Sequence, residues 1–294
     1  MLSIRRQNLS DDSVEPKQSI KNRAPYVDSL EPKQSIKSKQ TGHVISLNEQ
    51  IKKFEEVTLP ELKAQLGHSS SRDSLPNYLF VVGSGGNDYS FNYFLKYPNS
   101  NLTTLQSFTL NLTNLLSQHL KKLYSLGGRK FVLISLNPIG CSPMVKGVRP
   151  TRNGCLQGLN RAAHLFNTHL KNMVDDIKIH MPGSTLVFVN SYKIIRDIIQ
   201  NPASTGHNEF DSSNGFPGFK DTSNACCKVE SQSEGGNGIL CKRGGEVCAE
   251  RSHHVFFDGL HPTEAVNVHI ANKAFHSYYK NEVYPINIDQ LAKL

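Results

Sequence analysis

Short apolar segments alternate with amphipathic ones along this chain, and this alternation constrains the fold more than any other feature. The apolar segments span residues 78–82, 130–135 and 185–189. The amphipathic segments span residues 105–126, 156–181 and 194–199. Buried apolar strands that are separated by helices predict an α/β fold, in which a parallel sheet carries helices on both faces. Loops at the carboxyl ends of such strands are where chemistry is expected.

The first 40 residues do not share this pattern. They are polar and charged, and the heptapeptide Glu-Pro-Lys-Gln-Ser-Ile-Lys occurs twice in them, at 15–21 and 31–37. Two copies do not make a solenoid, so we expect a disordered tail over residues 1–40. The folded domain is then 41–294, and it begins with a helix because Ser46 and Glu49 have the spacing of a capping box. Pro60 is expected to interrupt this helix, and Gly67 to end it.

Composition excludes several classes of protein. Hydrophobic residues make up 37% of the 294 residues, which is enough for a core, so global disorder is excluded. The sequence has no run of 18 apolar residues, so no transmembrane segment is expected. The net charge is +8, but residues 1–40 supply +3 of it, and the chain has no cluster of Lys and Arg. We therefore expect no nucleic-acid partner.

The six cysteines predict disulfides. None of them has the C-x-x-C spacing of a structural zinc site, so no metal is expected. Four lie in a Gly- and Ser-rich stretch, where cross-links compensate for poor packing. The adjacent Cys226 and Cys227 are each expected to pair onward, with Cys241 and Cys248 in either order, and Cys141 with Cys155. Six reduced cysteines in a cytosolic protein remain the alternative.

Signals for the secretory pathway disagree with one another. Asn101 and Asn111 each begin an Asn-Leu-Thr sequon, which predicts possible glycosylation. However, no apolar segment follows Met1, so we find no signal peptide. Either the start of the protein is missing or it stays inside the cell.

Asp258-Gly-Leu-His261-Pro262 is the first candidate for chemistry. Asp and His three residues apart, followed by Pro262 at a predicted helix start, can share one turn. The carboxylate would then fix the tautomer of the imidazole and leave its other nitrogen as a general base. The alternative is an incidental aspartate beside a surface histidine.

Gly85-Gly86-Asn87-Asp88 is the second candidate, because it directly follows the first apolar strand. Glycines permit a tight turn and the close approach of a substrate. The Asn87 side chain could donate a hydrogen bond to a developing oxyanion there. The alternative is an ordinary Gly-Asn turn.

In this order and at these positions, the two motifs resemble the SGNH hydrolases, and specifically the plant GDSL esterase/lipase group. Other stretches share the resemblance: 44–51, 78–89, Asn-Pro-Ile-Gly-Cys at 137–141, Ala-Cys-Cys at 225–227 and 257–264. The resemblance implies a three-layer α/β/α, flavodoxin-like SGNH fold and a secreted hydrolase of small-molecule esters or lipids without a cofactor. It also implies that His261 is the base, Asp258 its orienting acid and Asn87 an oxyanion donor.

The family's nucleophilic serine lies in an earlier block, a strand that runs into Gly-Asp-Ser-Leu, and we find no such block here. Asp28-Ser29-Leu30 has three of the letters but lacks the strand before it, and Ser74 directly precedes the strand at 78–82. We therefore expect a poor or inactive esterase whose N-terminal strands are missing. The alternatives are a non-catalytic protein that binds an acyl ligand, or a truncated gene model and thus a fragment. Loss of the strands would also leave strand 78–82 with an exposed edge.

Overall fold

The structure of the chain is a computed structural model that describes residues 2–6, 45–66, 75–94, 102–148, 154–203, 218–230, 234 and 236–294. Its strands are β1 (Leu2–Arg6), β2 (Tyr78–Val82), β3 (Lys130–Ile134), β4 (Thr185–Val189), β5 (Asp221–Ala225), β6 (His254–Phe256) and β7 (Val283–Tyr284). Its α-helices are α1 (Leu47–Lys53), α2 (Leu59–Leu66), α3 (Leu102–Ser125), α4 (Pro143–Val148), α5 (Gln157–Asp176), α6 (Ser191–Gln200), α7 (Glu264–His276) and α8 (Ile288–Ala292).

The main sheet has the order β1-β2-β3-β4-β7. Strands β2, β3 and β4 are parallel to one another, as the apolar runs predict. The edge strands β1 and β7 are antiparallel to their neighbours, so the sheet is mixed and not wholly parallel. Strands β5 and β6 form a separate parallel pair.

Both faces of the parallel core are buried, because its side chains alternate between two clusters. Phe131 and Leu133 of β3 pack in a cluster with α1, α3 and α5. Val132, between them, packs in the other cluster, with α6, α7 and α8. This period of two places helices on both faces of the sheet and gives the predicted α/β/α layers.

Strand β1 corrects the expectation of an exposed edge. Its five residues pair along the whole of β2, from Leu2 opposite Val82 to Arg6 opposite Tyr78. Residues 2–6 belong to the predicted tail 1–40, and the rest of that tail, including both heptapeptides, lies outside the described residues. The physical reason is that the edge of β2 offers unpaired peptide groups, which any nearby extended segment can satisfy.

Helix ends follow the local chemistry of the sequence. Ser46 and Glu49 form the predicted capping box at the start of α1. Pro60 does not interrupt the helical path, because it lies in the first turn of α2, directly after the π-helical segment Phe54–Thr58, where a proline is tolerated. The last long helix begins at Glu264 and not at Pro262, because Thr263 caps it. Gly67 lies outside the described residues.

Candidate active site

A cavity of about 300 Å³ opens at the carboxyl ends of β2 and β3. The predicted residues Gly85, Gly86, Asn87 and His261 all line it. Its apolar lining comes from Ile134, Leu136, Ile139, Ile195, Phe256 and Leu260. A second void, which Asp88 and other residues line, holds only about 10 Å³, so it has room for one water at most. The larger cavity is therefore the candidate ligand site.

Asp258 organises the turn that carries His261. One of its oxygens, Oδ1, accepts hydrogen bonds from the backbone N–H of Leu260 at 2.8 Å and of His261 at 2.7 Å. A carboxylate that accepts from the residues two and three positions later fixes a tight Asx-type turn. This turn places the side chain of His261 next to the carboxylate of Asp258.

The ring of His261 faces the carboxylate of Asp258 through Nδ1, which lies 2.8 Å from Oδ2 and 3.0 Å from Oδ1. The Asp258 side chain is 8% exposed and that of His261 is 39% exposed. Such a carboxylate favours the tautomer with hydrogen on Nδ1, so Nε2 carries the lone pair that can accept a proton.

The charge of Asp258 results from two opposed effects. Burial of the carboxyl raises its pKa, whereas hydrogen bonds from the His261 ring and from the backbone N–H groups of His261 and Leu260 lower it. The hydrogen bonds prevail, so the pKa of Asp258 lies below its ordinary value. The residue is therefore a carboxylate at neutral pH and can stabilise a protonated His261.

Gly259, inside this turn, must be a glycine because the cysteine-rich segment packs against it. A Cβ atom at Gly259 would lie 2.1 Å from the carbonyl oxygen of Gly238. The backbone N–H of Gly259 also donates to the carbonyl of Ile239 at 2.8 Å. The cysteine-rich segment therefore supports the turn of Asp258 and His261 from behind.

Three disulfides cross-link segments that adjoin residues of the site. The bonds are Cys141–Cys155, Cys226–Cys248 and Cys227–Cys241, which settles the order that the sequence leaves open for the last two. The backbone N–H of Cys226 donates to the carbonyl of Phe256 at 3.0 Å. The cross-linked segment is thus attached to the strand that leads into Asp258.

Asn87 reaches the cavity from the loop after β2. Gly85 has a φ of 110°, and a Cβ there would lie 3.1 Å from the ring of Phe166, so the turn requires glycine. Asn87 precedes the π-helical segment Asp88–Tyr93 but does not cap it with its side chain. It is 8% exposed and lines the cavity, where an amide group can donate a hydrogen bond.

The opposite wall, residues 135–142, contains positions that sequence reasoning missed. Asn167 of α5 hydrogen-bonds both peptide groups of Leu136, and Asn160 accepts from the backbone N–H of Gly140 at 2.9 Å. Both asparagines are buried. The sequence does contain a signal for them. The two asparagines lie seven residues apart and interrupt the apolar face of an amphipathic helix, and a buried amide requires a hydrogen-bond partner.

The remaining predicted features are the two serines, the two sequons, and the expected lack of a metal site and of a transmembrane segment. Ser29, Ser74 and Asn101 lie outside the described residues. Asn111 lies on α3, and the hydroxyl of Thr113 in its sequon is buried and donates to the carbonyl of Thr109. The part of the chain that the structure describes contains no group of three or more His, Cys, Asp or Glu that could hold a metal. None of its helices has the length and apolar character needed to cross a membrane.

The fold and the cavity define an α/β/α protein with a His–Asp pair at the carboxyl edge of its sheet, an arrangement typical of hydrolases. The family profile described as "GDSL-like Lipase/Acylhydrolase" matches residues 17–274. The chain therefore belongs to the GDSL lipase/acylhydrolase family. The matched range begins inside the predicted tail and includes both Ser29 and Ser74.

Several GDSL esterase/lipases of Arabidopsis thaliana are similar to this chain. One is 32% identical over 259 residues, which are 87% of this chain and 67% of the relative. Another is 33% identical over 283 residues, or 94% of this chain and 72% of the relative. A third is 33% identical over 290 residues, or 96% and 71%.

Proposed function

We propose that this chain binds a small ester in the cavity at β2 and β3 and hydrolyses it slowly, with His261 as the general base. The observation that carries the proposal is the contact between Nδ1 of His261 and the buried carboxylate of Asp258. The His261 side chain lines the same cavity as Asn87. A positioned base and an amide donor are the two groups that ester cleavage requires besides a nucleophile.

The reaction can proceed with water as the nucleophile. Nε2 of His261 takes a proton from water as the water oxygen bonds to the ester carbonyl carbon, and an electron pair moves to the carbonyl oxygen. The side-chain N–H of Asn87 stabilises that oxygen. The tetrahedral species then breaks its bond to the leaving oxygen, which takes the proton back from Nε2, so the products are an acid and an alcohol.

Low turnover follows from the lack of an assigned nucleophilic serine. Loss of the nucleophile in a serine hydrolase costs on the order of 10⁶ in turnover, and the remaining site still accelerates the reaction on the order of 10³–10⁴ over water. If Ser29 or Ser74 acts as the nucleophile, the chain follows the Ser-His-Asp route of its family and turnover is much higher.

Two finer features belong to the same proposal. Three disulfides favour an oxidising compartment such as the secretory pathway, because thiols stay reduced in the cytosol. The apolar lining of the cavity suits a short acyl chain next to the polar groups of Asn87 and His261.

Hydrolysis of p-nitrophenyl butyrate tests the proposal. The expected course is slow and linear, without an initial burst, and it is abolished by His261→Ala but not by His164→Ala, an exposed histidine of α5 that serves as the control. Hydrolysis that is equal in the His261→Ala variant would exclude His261 as the base.

Treatment with a fluorophosphonate, followed by peptide mapping, addresses the nucleophile. No labelled serine is expected. A burst equal to the protein concentration, together with a label on Ser29 or Ser74, would show that the chain has a nucleophile after all.

A non-catalytic function is the second candidate, and the apolar cavity favours it. In that case 4′-nitrobutyranilide, an amide analogue of the ester, binds saturably. Its affinity would not change in His261→Ala, and neither protein would hydrolyse the ester.

A further inference from the structure

Ser142 carries a buried hydroxyl that the His–Asp pair does not explain. The residue is 1% exposed and lines the same cavity as His261. Its Oγ has no hydrogen-bond partner. Buried hydroxyls nearly always have one, because an unpaired hydroxyl loses its bonds to water on folding and gains none in return.

Ser142 does not act as a helix cap, although it directly precedes α4. A serine at this position normally accepts a backbone N–H of the first turn with its side chain. The hydroxyl of Ser142 accepts no such bond. The N–H of Lys146 makes the ordinary first helical bond to the backbone carbonyl of Ser142, and the N–H of Val145 donates to that same carbonyl, both at 3.1 Å. The hydroxyl therefore takes no part in the hydrogen bonds at the start of α4.

The other hydroxyls around the cavity are in a different situation. Ser135 Oγ accepts the backbone N–H of Tyr192 at 3.0 Å and lies 3.1 Å from the Oγ of Ser191. Ser84 and Ser90 are partly exposed, so water can satisfy them. Among the serines that line the cavity, Ser142 is the one that is both fully buried and unpaired.

The wall on which Ser142 stands is held in place from two directions. On one side, Cys141 is joined to Cys155, and Gly140 donates its N–H to Asn160. A Cβ at Gly140 would lie 2.2 Å from the carbonyl oxygen of Leu156, so this wall packs closely against the start of α5.

On the other side, the wall is tied to the turn that carries the base. The backbone N–H of Met144 donates to the carbonyl of Gly259 at 2.8 Å, and Gly259 lies between Asp258 and His261. Ser142 therefore keeps a fixed position relative to His261, which a group that contacts the same ligand requires.

We propose that the hydroxyl of Ser142 donates a hydrogen bond to an oxygen atom of the acyl group in the cavity, which makes it a ligand-contacting residue. The assignment rests on the proposed function, because it names a contact within that same site. The Oγ atom is buried, so the contact with a ligand requires a change between staggered rotamers about the Cα–Cβ bond.

The test combines ligand binding with stability. The dissociation constant for 4′-nitrobutyranilide and the free energy of unfolding in urea are measured for the unaltered full chain, Ser142→Ala and Ser135→Ala. Ser142→Ala is expected to raise the dissociation constant about 2- to 10-fold, the worth of one hydrogen bond, without loss of stability. Ser135→Ala is the matched control and is expected to lose stability, because its hydroxyl has partners in the protein.

Each other outcome contradicts a different statement. If Ser142→Ala binds the anilide as tightly as the unaltered chain, the assignment of Ser142 is wrong and the proposed function stands. If Ser142→Ala loses as much stability as Ser135→Ala, the hydroxyl is structural. If the unaltered chain does not bind the anilide, the proposed function fails, and the assignment of Ser142 fails with it.

Discussion

Asn167 of α5 holds both peptide groups of Leu136: its Oδ1 accepts the backbone N–H at 2.7 Å and its Nδ2 donates to the carbonyl at 3.0 Å. Leu136 lies just beyond the end of β3, where the chain leaves the sheet and its peptide groups lose their ladder partners. One buried side chain thus replaces a neighbouring strand and fixes the wall of the cavity that leads to Ser142.

Asn167→Ala should therefore destabilise the fold strongly. It leaves two buried backbone groups without partners, at about 1–3 kcal/mol each, so we expect a loss of about 2–5 kcal/mol in the free energy of unfolding, measured in urea. Thr168→Ala, at the exposed neighbouring position, is the control and should stay within about 0.5 kcal/mol. Equal effects of the two changes would mean that the contact with Leu136 contributes little.

The carboxylate of Asp258 should make stability depend on pH in the acid range. Its pKa is lowered on folding, so its contribution is fully present above the ordinary value of 3.8 and is lost as pH falls through the lower folded value. Asp258→Asn lacks this contribution and should be less stable by about 1–3 kcal/mol at pH 7.

Urea unfolding between pH 7 and pH 2 measures this dependence. The difference between the unaltered chain and Asp258→Asn should narrow as the pH falls. Asp289→Asn, at an exposed pair with Lys293, is the control and should change stability by less than about 1 kcal/mol at any pH. A constant difference between pH 7 and pH 2 would contradict the assigned ionisation of Asp258.

The sequence predicts those parts of the fold whose signals are local. Each of the three apolar runs predicts a buried strand without any other information; the runs are 78–82, 130–135 and 185–189. The spacing of Asp258 and His261 likewise needs only one turn, which their own backbone hydrogen bonds complete. The alternation of these runs with amphipathic segments also predicts helices on both faces of the sheet, and the family resemblance agrees with it.

The missed features depend on partners that are distant in the chain. Strand β1 exists because Arg6 and its neighbours meet residues more than 70 positions away, and β7 is only two residues long. The roles of Asn160 and Asn167 become visible only when the loop after β3 is placed beside α5. A nucleophile cannot be predicted by spacing alone, because the serine of such a site comes from a separate strand.

Strand β1 should protect the edge of the sheet. Replacing Leu2–Arg6 with five alternating Gly and Ser residues keeps the chain length but weakens the strand, so the apolar strand β2 should become available to other molecules. Light scattering should then show aggregation that increases with protein concentration. The same replacement at residues 22–26, outside β1, is the control, and a variant at 2–6 that stays monomeric would show that β2 is covered by other means.

The close contact between Gly259 and Gly238 should make the turn of Asp258 and His261 intolerant of any side chain. In Gly259→Ala the new Cβ would lie 2.1 Å from a backbone oxygen, which cannot move aside as a flexible side chain could. We expect a loss of about 1–3 kcal/mol in stability, as for other overpacked sites, and a fall in p-nitrophenyl butyrate hydrolysis beyond what the unfolded fraction explains.

Gly158→Ala is the matched control, because nothing lies within 4 Å of a Cβ there and Gly158 is in α5. It should keep full activity and gain up to about 1 kcal/mol from higher helix propensity. Activity and stability in Gly259→Ala equal to those of Gly158→Ala would show that the cysteine-rich segment does not support the His261 turn.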